Sequence, residues 1–187
     1  MTMRHTTKAG PPIAKKLPHS QWSRLLTESR NPRSRNLDRM ATERVVTLLL
    51  DEDRLAIIEA KRKARDVASA ARLVASAFSL GGRTLFVGAG TSGRLGVLEA
   101  AECPPTFGTA PGMIVGVMAG GEDAVFRAKE GSEDRADQGE KAVAAVTSKD
   151  VVIGISASSV TPFVRAALKK ARARRAKTVL VTCAPVL

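Results

Sequence analysis

The stretch LFVGAGTSGRLGVLEAAECPPTFG, residues 85 to 108, changes character twice along its length. It begins with a short apolar run typical of a buried strand, turns through the glycine-rich GAGTSG, and continues as a predicted helix. A strand, a glycine loop and a helix in this order begin a parallel crossover unit. The loop is therefore expected at the carboxyl end of a strand, where ligands bind in open α/β sheets.

Three later segments repeat the strand pattern of this stretch. They are GMIVGVMAGG, KDVVIGISAS and AKTVLVTCAP. Each is a short continuous apolar run that ends in small residues, as strands buried on both faces do. Helices are predicted between the runs, over 92–102, 122–131, 134–146 and 161–175. The alternation predicts an α/β fold with an open parallel sheet sandwiched by helices.

The N-terminal part of the chain is organised differently. Residues 1–26 show no apolar periodicity and are predicted to be a flexible basic tail. Residues 27–80 are predicted to be a helical segment of two helices. The first closes at Asp51 to Asp53, and the second runs from Leu55 to Leu80. Residues 81–187 hold the α/β domain.

The GAGTSG loop satisfies the GxGxxG fingerprint of dinucleotide-binding proteins, which alone is a weak signal. The fingerprint also requires an acidic residue roughly 20 positions on, at the end of the second strand, but the first acid there is Glu122. Backbone N–H groups at a helix N-terminus suit a compact anion. We therefore expect Gly90, Thr91, Ser92 and Gly93 to bind a phosphate; the alternative is a tight turn that binds nothing.

A second hydroxyl-rich loop follows the VVIGI strand. It carries Ser156, Ser158, Ser159 and Thr161 immediately before another predicted helix. Both loops are expected at the same edge of the sheet, where together they favour a phosphate-plus-polyol site over a cofactor site. No cofactor is therefore expected. The alternative interpretation is that these hydroxyls only cap the helix.

Carboxylates near such a site suit proton transfer next to a carbonyl. Glu102 stands directly before Cys103-Pro104-Pro105, whose prolines are expected to end the helix. Glu130, Glu133 and Asp134 lie in the later segment KEGSED. Two carboxylates can abstract a proton and protonate a leaving group without a metal. No cluster resembles a metal site, and both histidines lie in the N-terminal tail.

The formal net charge of +12 is concentrated in two places. Residues 1–36 and residues 165–177 each carry a net charge of +7, which leaves the remainder near −2. With no Tyr and one Trp, the chain lacks the aromatic platforms that often accompany nucleic-acid binding. The composition therefore argues against nucleic-acid and membrane partners. It favours a cytoplasmic protein whose two cysteines form no disulfide framework.

Four segments closely resemble the N-acetylmuramic acid 6-phosphate etherases, which are lyases with a sugar isomerase (SIS) domain. These segments are TESRNP, VGAGTSGRLGVLEAAECPPTFG, AGGEDAVFRAKEGSED and DVVIGISASSVTP. The likeness runs from about Thr27 to Pro185 and extends more distantly to the glucokinase regulatory protein. It implies that residues 81–187 are a SIS domain, incomplete at its C-terminal end. It further implies a homodimeric enzyme of peptidoglycan recycling and amino sugar catabolism that cleaves the D-lactyl ether of N-acetylmuramate 6-phosphate, giving N-acetylglucosamine 6-phosphate and D-lactate.

The resemblance also implies roles for individual residues. Glu102 matches the glutamate of the ECPP motif and is implied to protonate the departing lactate. Glu133 matches the second glutamate of EGxED and is implied to be the other active-site carboxylate; which of the two is the base stays open. The glycine loop and the hydroxyls of Ser156, Ser158 and Thr161 are implied to hold the phosphate and the sugar.

The second loop departs from the family pattern A-A-S-G-R-T-P. Ser159 replaces its glycine and Val160 replaces its arginine. A side chain at a glycine position can obstruct a backbone conformation, and a lost arginine can weaken anion binding. Two hypotheses therefore stand: an etherase-type lyase, and a noncatalytic sugar-phosphate-binding module that regulates a partner, as the glucokinase regulatory protein does.

Overall fold

The computed structural model describes residues 25–184 and contains a four-stranded parallel sheet. The strands are β1 (Thr84–Gly88), β2 (Ile114–Met118), β3 (Val151–Ile155) and β4 (Lys177–Val181). Their order in the sheet is β2-β1-β3-β4. All four strands coincide with the apolar runs of the sequence, which confirms the predicted α/β fold.

The strand order creates a crevice between the loops that follow β1 and β3. From β1 the chain crosses to β2 on one side, and it then crosses back to β3 on the other side. Gly88, the last residue of β1, is level with Met118 of β2 and Ile155 of β3. Connections that leave in opposite directions open a crevice at the carboxyl ends of the strands.

Helices cover both faces of the sheet. They are α1 (Thr42–Arg62), α2 (Ala64–Ser79), α3 (Gly90–Phe107), α4 (Asp123–Phe126), α5 (Ala136–Ala142) and α6 (Pro162–Ala173). Short 3₁₀ turns at Leu26–Glu28, Pro32–Ser34 and Leu37–Arg39 precede α1. Among residues 25–184, no helix is both long and apolar enough to cross a membrane.

The core has two layers. On one face of the sheet, Val87 and Val152 pack with Val164 and Leu168 of α6. On the other face, Val151 and Ile153 pack with Ala77 of α2. Helix α3 also lies on this second face, very close to the sheet. A Cβ added at Gly96 would lie 2.7 Å from Cβ of Phe86, so glycine there allows the helix to approach.

The boundary between the first two helices differs from the prediction. The acidic run from Asp51 to Asp53 does not close α1, which continues to Arg62, and α2 begins only at Ala64. Arg33 forms ion pairs with Asp51 and Glu52 at 3.2 and 2.8 Å. Acidic residues within a helix are therefore accommodated on its exposed side. Nearly all of the predicted tail, residues 1–24, lies outside the described residues.

The prediction that the prolines end α3 is also wrong. The helix runs through Pro104 and Pro105 to Phe107, and Gly108 ends it in the left-handed conformation. A proline ring is compatible with helical φ, and its cost is the missing N–H donor. The Gly108 N–H donates to the Pro104 carbonyl at 2.9 Å, so the last turn stays closed.

Two other predicted helices are shorter than expected. The segment 122–131 contains only the single turn of α4, and the segment 134–146 contains the seven residues of α5. Gly120, Gly121 and Gly131 all have positive φ, a conformation typical of turns rather than helices. The chain between β2 and β3 is therefore largely loop, and this loop borders the crevice.

Asp150 fixes the connection into β3. Its buried carboxylate accepts hydrogen bonds from the backbone N–H groups of Arg83 and Thr147, both at 2.7 Å. Burial alone would raise the pKa of Asp150, but the hydrogen bonds from Thr147 and Arg83 and the nearby Arg83 guanidinium outweigh it and lower the pKa. The ionised form is therefore the one that the fold stabilises.

We expect Asp150→Asn to lower the free energy of unfolding by about 2 to 3 kcal/mol at pH 7, because an amide donor then faces a buried N–H. A lowered folded-state pKa contributes stability above the unfolded value of about 3.9, and this contribution is lost as the pH falls through the folded value. In urea unfolding, the difference in the free energy of unfolding between the wild-type chain and Asp150→Asn should therefore become smaller below about pH 4. A difference that is unchanged there would contradict this account; Asp66→Asn, exposed on α2, is the control.

Candidate functional site

A cavity of about 400 Å³ opens at the carboxyl ends of β1 and β2, beside the start of α6. It brings together Gly90 and Thr91 from the glycine loop, Thr161 from the second loop, and Glu133 from the EGSED segment. These four residues come from three separate parts of the chain. The crevice that the sequence predicts therefore exists, and two carboxylates of the KEGSED segment, Glu130 and Glu133, line it.

The three glycines of the loop have different structural roles. Gly88 and Gly93 pack against each other, since a Cβ on Gly93 would lie 2.8 Å from the Gly88 carbonyl oxygen. Gly93 is buried, and its N–H donates to the Ala89 carbonyl. Gly90 has a φ of +55° and faces open space. Only Gly90 leaves room for a ligand to approach the backbone.

The loop also directs donors toward that space. The first N–H groups of a helix have no acceptor within the helix, and α3 begins at Gly90. The N–H groups of Gly90 and Thr91, both of which line the cavity, are therefore without an acceptor in the helix, whereas Ser92 does not line the cavity. This arrangement suits a phosphate.

The hydroxyls of the second loop are mostly used within the loop. Ser156 is buried, and its Oγ lies 2.8 Å from Oγ1 of Thr161. The Ser158 Oγ accepts a hydrogen bond from the Val160 N–H at 3.4 Å. Of the three hydroxyl residues expected to bind substrate, Thr161 alone lines the cavity, and Ser156 orients it.

Ser159 is buried and has a φ of +65°. Only a minority of non-glycine residues adopt this left-handed conformation, so the position at which the resemblance expects glycine has the backbone that glycine favours. Val160, at the position of the expected arginine, is buried and does not line the cavity. The loop thus keeps its left-handed turn but has no arginine at this position.

Glu133 is held by its backbone. Its carbonyl accepts a hydrogen bond at 2.9 Å from the N–H of Phe163, in the first turn of α6. Thr161 lies directly before that turn and lines the same cavity. The contact fixes the EGSED segment against the second loop, so the carboxylate and the hydroxyl share one wall.

The cavity also contains residues that the sequence analysis missed. Arg94 donates from Nε to the Val125 carbonyl at 2.7 Å and from Nη2 to the Ala124 carbonyl at 2.9 Å. It thereby ties α3 to α4 and places a guanidinium at the cavity wall. Arg94 stands one helical turn after Thr91, and this spacing alone could have predicted that the two side chains lie on the same side of the helix. Lys129 and Ser132 also line the cavity, but their surrounding loop has no periodicity to reveal them.

Glu102 does not line the cavity. It is exposed on α3, eleven residues beyond Thr91, which corresponds to about 16 Å along a helix. In a single copy of the chain, the two predicted catalytic carboxylates are therefore well apart. Within the described residues no group of His, Cys, Asp or Glu side chains could hold a metal ion.

A second, larger cavity of about 840 Å³ lies beside the first. Its lining includes Gly116 and Val117 of β2 and the cationic side chains of Lys129, Arg135 and Lys141. Met118, Lys129 and Ser132 line both cavities. The two spaces are therefore contiguous at the carboxyl end of β2.

Comparison with solved structures supports the fold. The chain superposes on a phosphoheptose isomerase from Francisella tularensis with a TM-score of 0.63 and 21% identity, covering 76% of each chain. A phosphoheptose isomerase from Neisseria gonorrhoeae gives a TM-score of 0.59 and 23% identity, covering 75% of this chain and 73% of that one. At these identities the likeness shows a shared fold and nothing more specific.

Sequence comparison places the chain in a family. Residues 66–172 match the model of the glucokinase regulatory protein N-terminal SIS domain. The chain is 47% identical to an N-acetylmuramic acid 6-phosphate etherase from Rippkaea orientalis and 49% identical to one from Picosynechococcus, over 87% and 86% of its length. It spans 54% of each of these relatives. The chain therefore belongs to the SIS-domain family, as a relative of the N-acetylmuramic acid 6-phosphate etherases.

Proposed function

We propose that the chain carries the sugar-phosphate site of an N-acetylmuramic acid 6-phosphate etherase, a lyase that releases D-lactate and N-acetylglucosamine 6-phosphate. The observation that carries the proposal is the single cavity shared by Gly90, Thr91, Thr161 and Glu133. The same cavity offers donors for a phosphate and the carboxylates of Glu130 and Glu133. The curated relatives that bear this name support the choice of substrate.

The chemistry needs two carboxylates and no metal. When the sugar ring opens, the C1 aldehyde acidifies the C2 proton, which a general base removes. The ether oxygen on C3 then leaves with its electron pair, takes a proton from a general acid and departs as D-lactate. Water adds to the resulting unsaturated aldehyde at C3, and a proton returns to C2. In this proposal Glu133 is the base and Glu102 is the acid.

We further propose that Glu102 reaches the cavity from a second copy of the chain. Thr91, Leu95, Leu98, Glu102 and Pro105 are all exposed and lie along one side of α3, at the three- and four-residue spacing of a helical face. We name these five residues the α3 stripe. Its two leucines are 52% and 53% exposed, so the stripe is a suitable surface for self-association.

The geometry of a twofold pair supports this arrangement. If the axis crosses α3 near Leu98, the two helices run antiparallel, and each contact is made twice. Position 102 of one copy then lies opposite Arg94 of the other, and Arg94 lines the cavity. Helix α1 also exposes Leu50 and Ile57 by 63% and 69%, which adds apolar surface for a homodimer. The same proposal places the enzyme in the cytoplasm.

A direct experiment tests the proposed reaction. The purified chain is incubated with N-acetylmuramate 6-phosphate, and D-lactate is measured over time. We expect release that depends on enzyme concentration and ceases in the Glu102→Ala variant. Sugar-phosphate binding without any D-lactate would contradict the lyase.

That outcome would instead favour the second candidate, a noncatalytic sugar-phosphate-binding module that regulates a partner. Two observations support this candidate: the buried Val160 offers no cation to the ligand, and Glu102 is remote from the cavity of its own copy. The family model also takes its name from a regulatory protein.

A further inference from the structure

The two contiguous cavities differ in what they can bind. The smaller one has the donors for a phosphate and the carboxylates of Glu130 and Glu133. The larger one has an apolar floor that includes Val117 and Phe163, with Lys129, Arg135 and Lys141 among its polar lining residues. The carboxylate of Glu122 also lines the larger cavity, so a ligand that extends from the first cavity into the second would meet apolar surface together with three cations and one carboxylate.

Lys129 stands at the boundary and is held there. Its Nζ donates to the Gly120 carbonyl at 3.2 Å. A Cβ added at Gly120 would lie 3.1 Å from Cδ of Lys129 and 2.9 Å from both Cβ of Ala124 and Oγ of Ser132. Gly120 also has a φ of +88°. The turn after β2 thus needs glycine at 120, and the lysine stem lies across it.

Arg135 and Lys141, the other two cations of the larger cavity, are less available where the two cavities meet. Arg135 is engaged by Asp137 through two hydrogen bonds of 2.9 Å. Lys141 is near the end of α5 and lines only the larger cavity. Lys129 also stands four residues before Glu133 and shares the smaller cavity with it. A second anion on the substrate would be repelled by Glu133 unless a cation such as Lys129 lay beside it.

We propose that the larger cavity is the subsite for a carboxylate-bearing arm of the substrate, and that Lys129 pairs with that carboxylate. The inference rests on the proposed function, in which the arm is the lactyl group on C3. The phosphate then lies at the glycine loop, the reacting C2 and C3 lie near Glu133, and the lactyl carboxylate enters the larger cavity. Lys129 is thereby a specificity-determining residue that distinguishes the substrate from the sugar phosphate lacking the lactyl arm.

The test is calorimetric binding of two unreactive ligands, the methyl glycosides of N-acetylmuramate 6-phosphate and of N-acetylglucosamine 6-phosphate. Neither can open to the aldehyde, so neither reacts. We expect the wild-type chain to bind the lactyl-bearing ligand about tenfold or more tightly than the other, as for a hydrogen bond to a charged group. Lys129→Met should abolish this preference, so that the variant binds the two ligands with equal affinity within about threefold.

Lys141→Met is the matched control, since it removes the same charge from the same cavity away from the boundary. It should keep the preference. Equal binding of the two ligands by the wild-type chain, or loss of the preference in Lys141→Met and not in Lys129→Met, would overturn the inference while leaving the proposed function intact. Failure of both ligands to bind would overturn the inference and the proposed function together.

Discussion

Glu133→Gln is expected to reduce D-lactate release by about 10³-fold, within the range by which general acid-base groups accelerate reactions. The substitution keeps the shape of the side chain and removes its ability to accept the C2 proton. The backbone carbonyl of Glu133, which holds the segment against α6, is unaffected. The loss should therefore appear in the rate of the chemical step and not in folding.

A second readout separates a base from a residue that only supports the site. In D₂O the wild-type chain should exchange the C2 proton of N-acetylglucosamine 6-phosphate with solvent, and Glu133→Gln should not. Glu102→Gln should retain the exchange while losing D-lactate release, because the acid acts only on the ether oxygen. Glu140→Gln, exposed on α5 and outside both cavities, is the control. Normal exchange in Glu133→Gln would contradict the assignment of the base.

The strands were predictable because each is a short, mostly apolar run, and the two central strands, β1 and β3, are largely buried. Apolar runs such as VVIGI have no polar face, and they allow little besides a strand in a parallel sheet. The helix boundaries were harder to predict. Prolines and acidic clusters indicate helix ends, yet α3 accommodates Pro104 and Pro105 in its last turns, and α1 carries Asp51 in an ion pair with Arg33. Each helix continues through these residues because the surrounding helical turns tolerate their unfavourable free energy.

The candidate site was predictable in its glycine loop and less so in its partners. A helix N-terminus after a strand places Gly90 and Thr91 by topology alone. The sequence could not show which loop hydroxyl faces the cavity. Ser156 and Thr161 both carry a hydroxyl and contact each other, but only Thr161 lines the cavity. The position of Lys129 depends on how the turn at Gly120 packs. No periodic pattern in the sequence predicts that packing.

The position of Glu102 could not be anticipated from motif resemblance. A motif match assigns a role to a residue without saying which copy of the chain supplies it. Helix geometry settles the separation within one copy, since eleven residues of helix place Glu102 about 16 Å beyond Thr91. In the proposed dimer, the α3 stripe is the surface through which a second copy would supply the carboxylate.

Mixing two inactive variants is expected to restore activity. In a homodimer of Glu102→Ala or of Glu133→Ala, both sites lack one carboxylate. In the heterodimer, one site combines an intact Glu133 with an intact Glu102 from the other copy, and the second site lacks both. A purified heterodimer should therefore release D-lactate at about half the wild-type rate per dimer, since the twofold pair has two equivalent sites.

Activity of the isolated heterodimer tests whether Glu102 and Glu133 meet across two copies of the chain. The two variants are co-expressed with different affinity tags, and the heterodimer is isolated through both tags and compared with each parent and with wild type. We expect each parent to release D-lactate about 10³-fold more slowly than wild type, and the heterodimer to release it at about half the wild-type rate. A heterodimer no more active than its parents, alongside an active wild-type dimer, would show that the two carboxylates do not meet across copies.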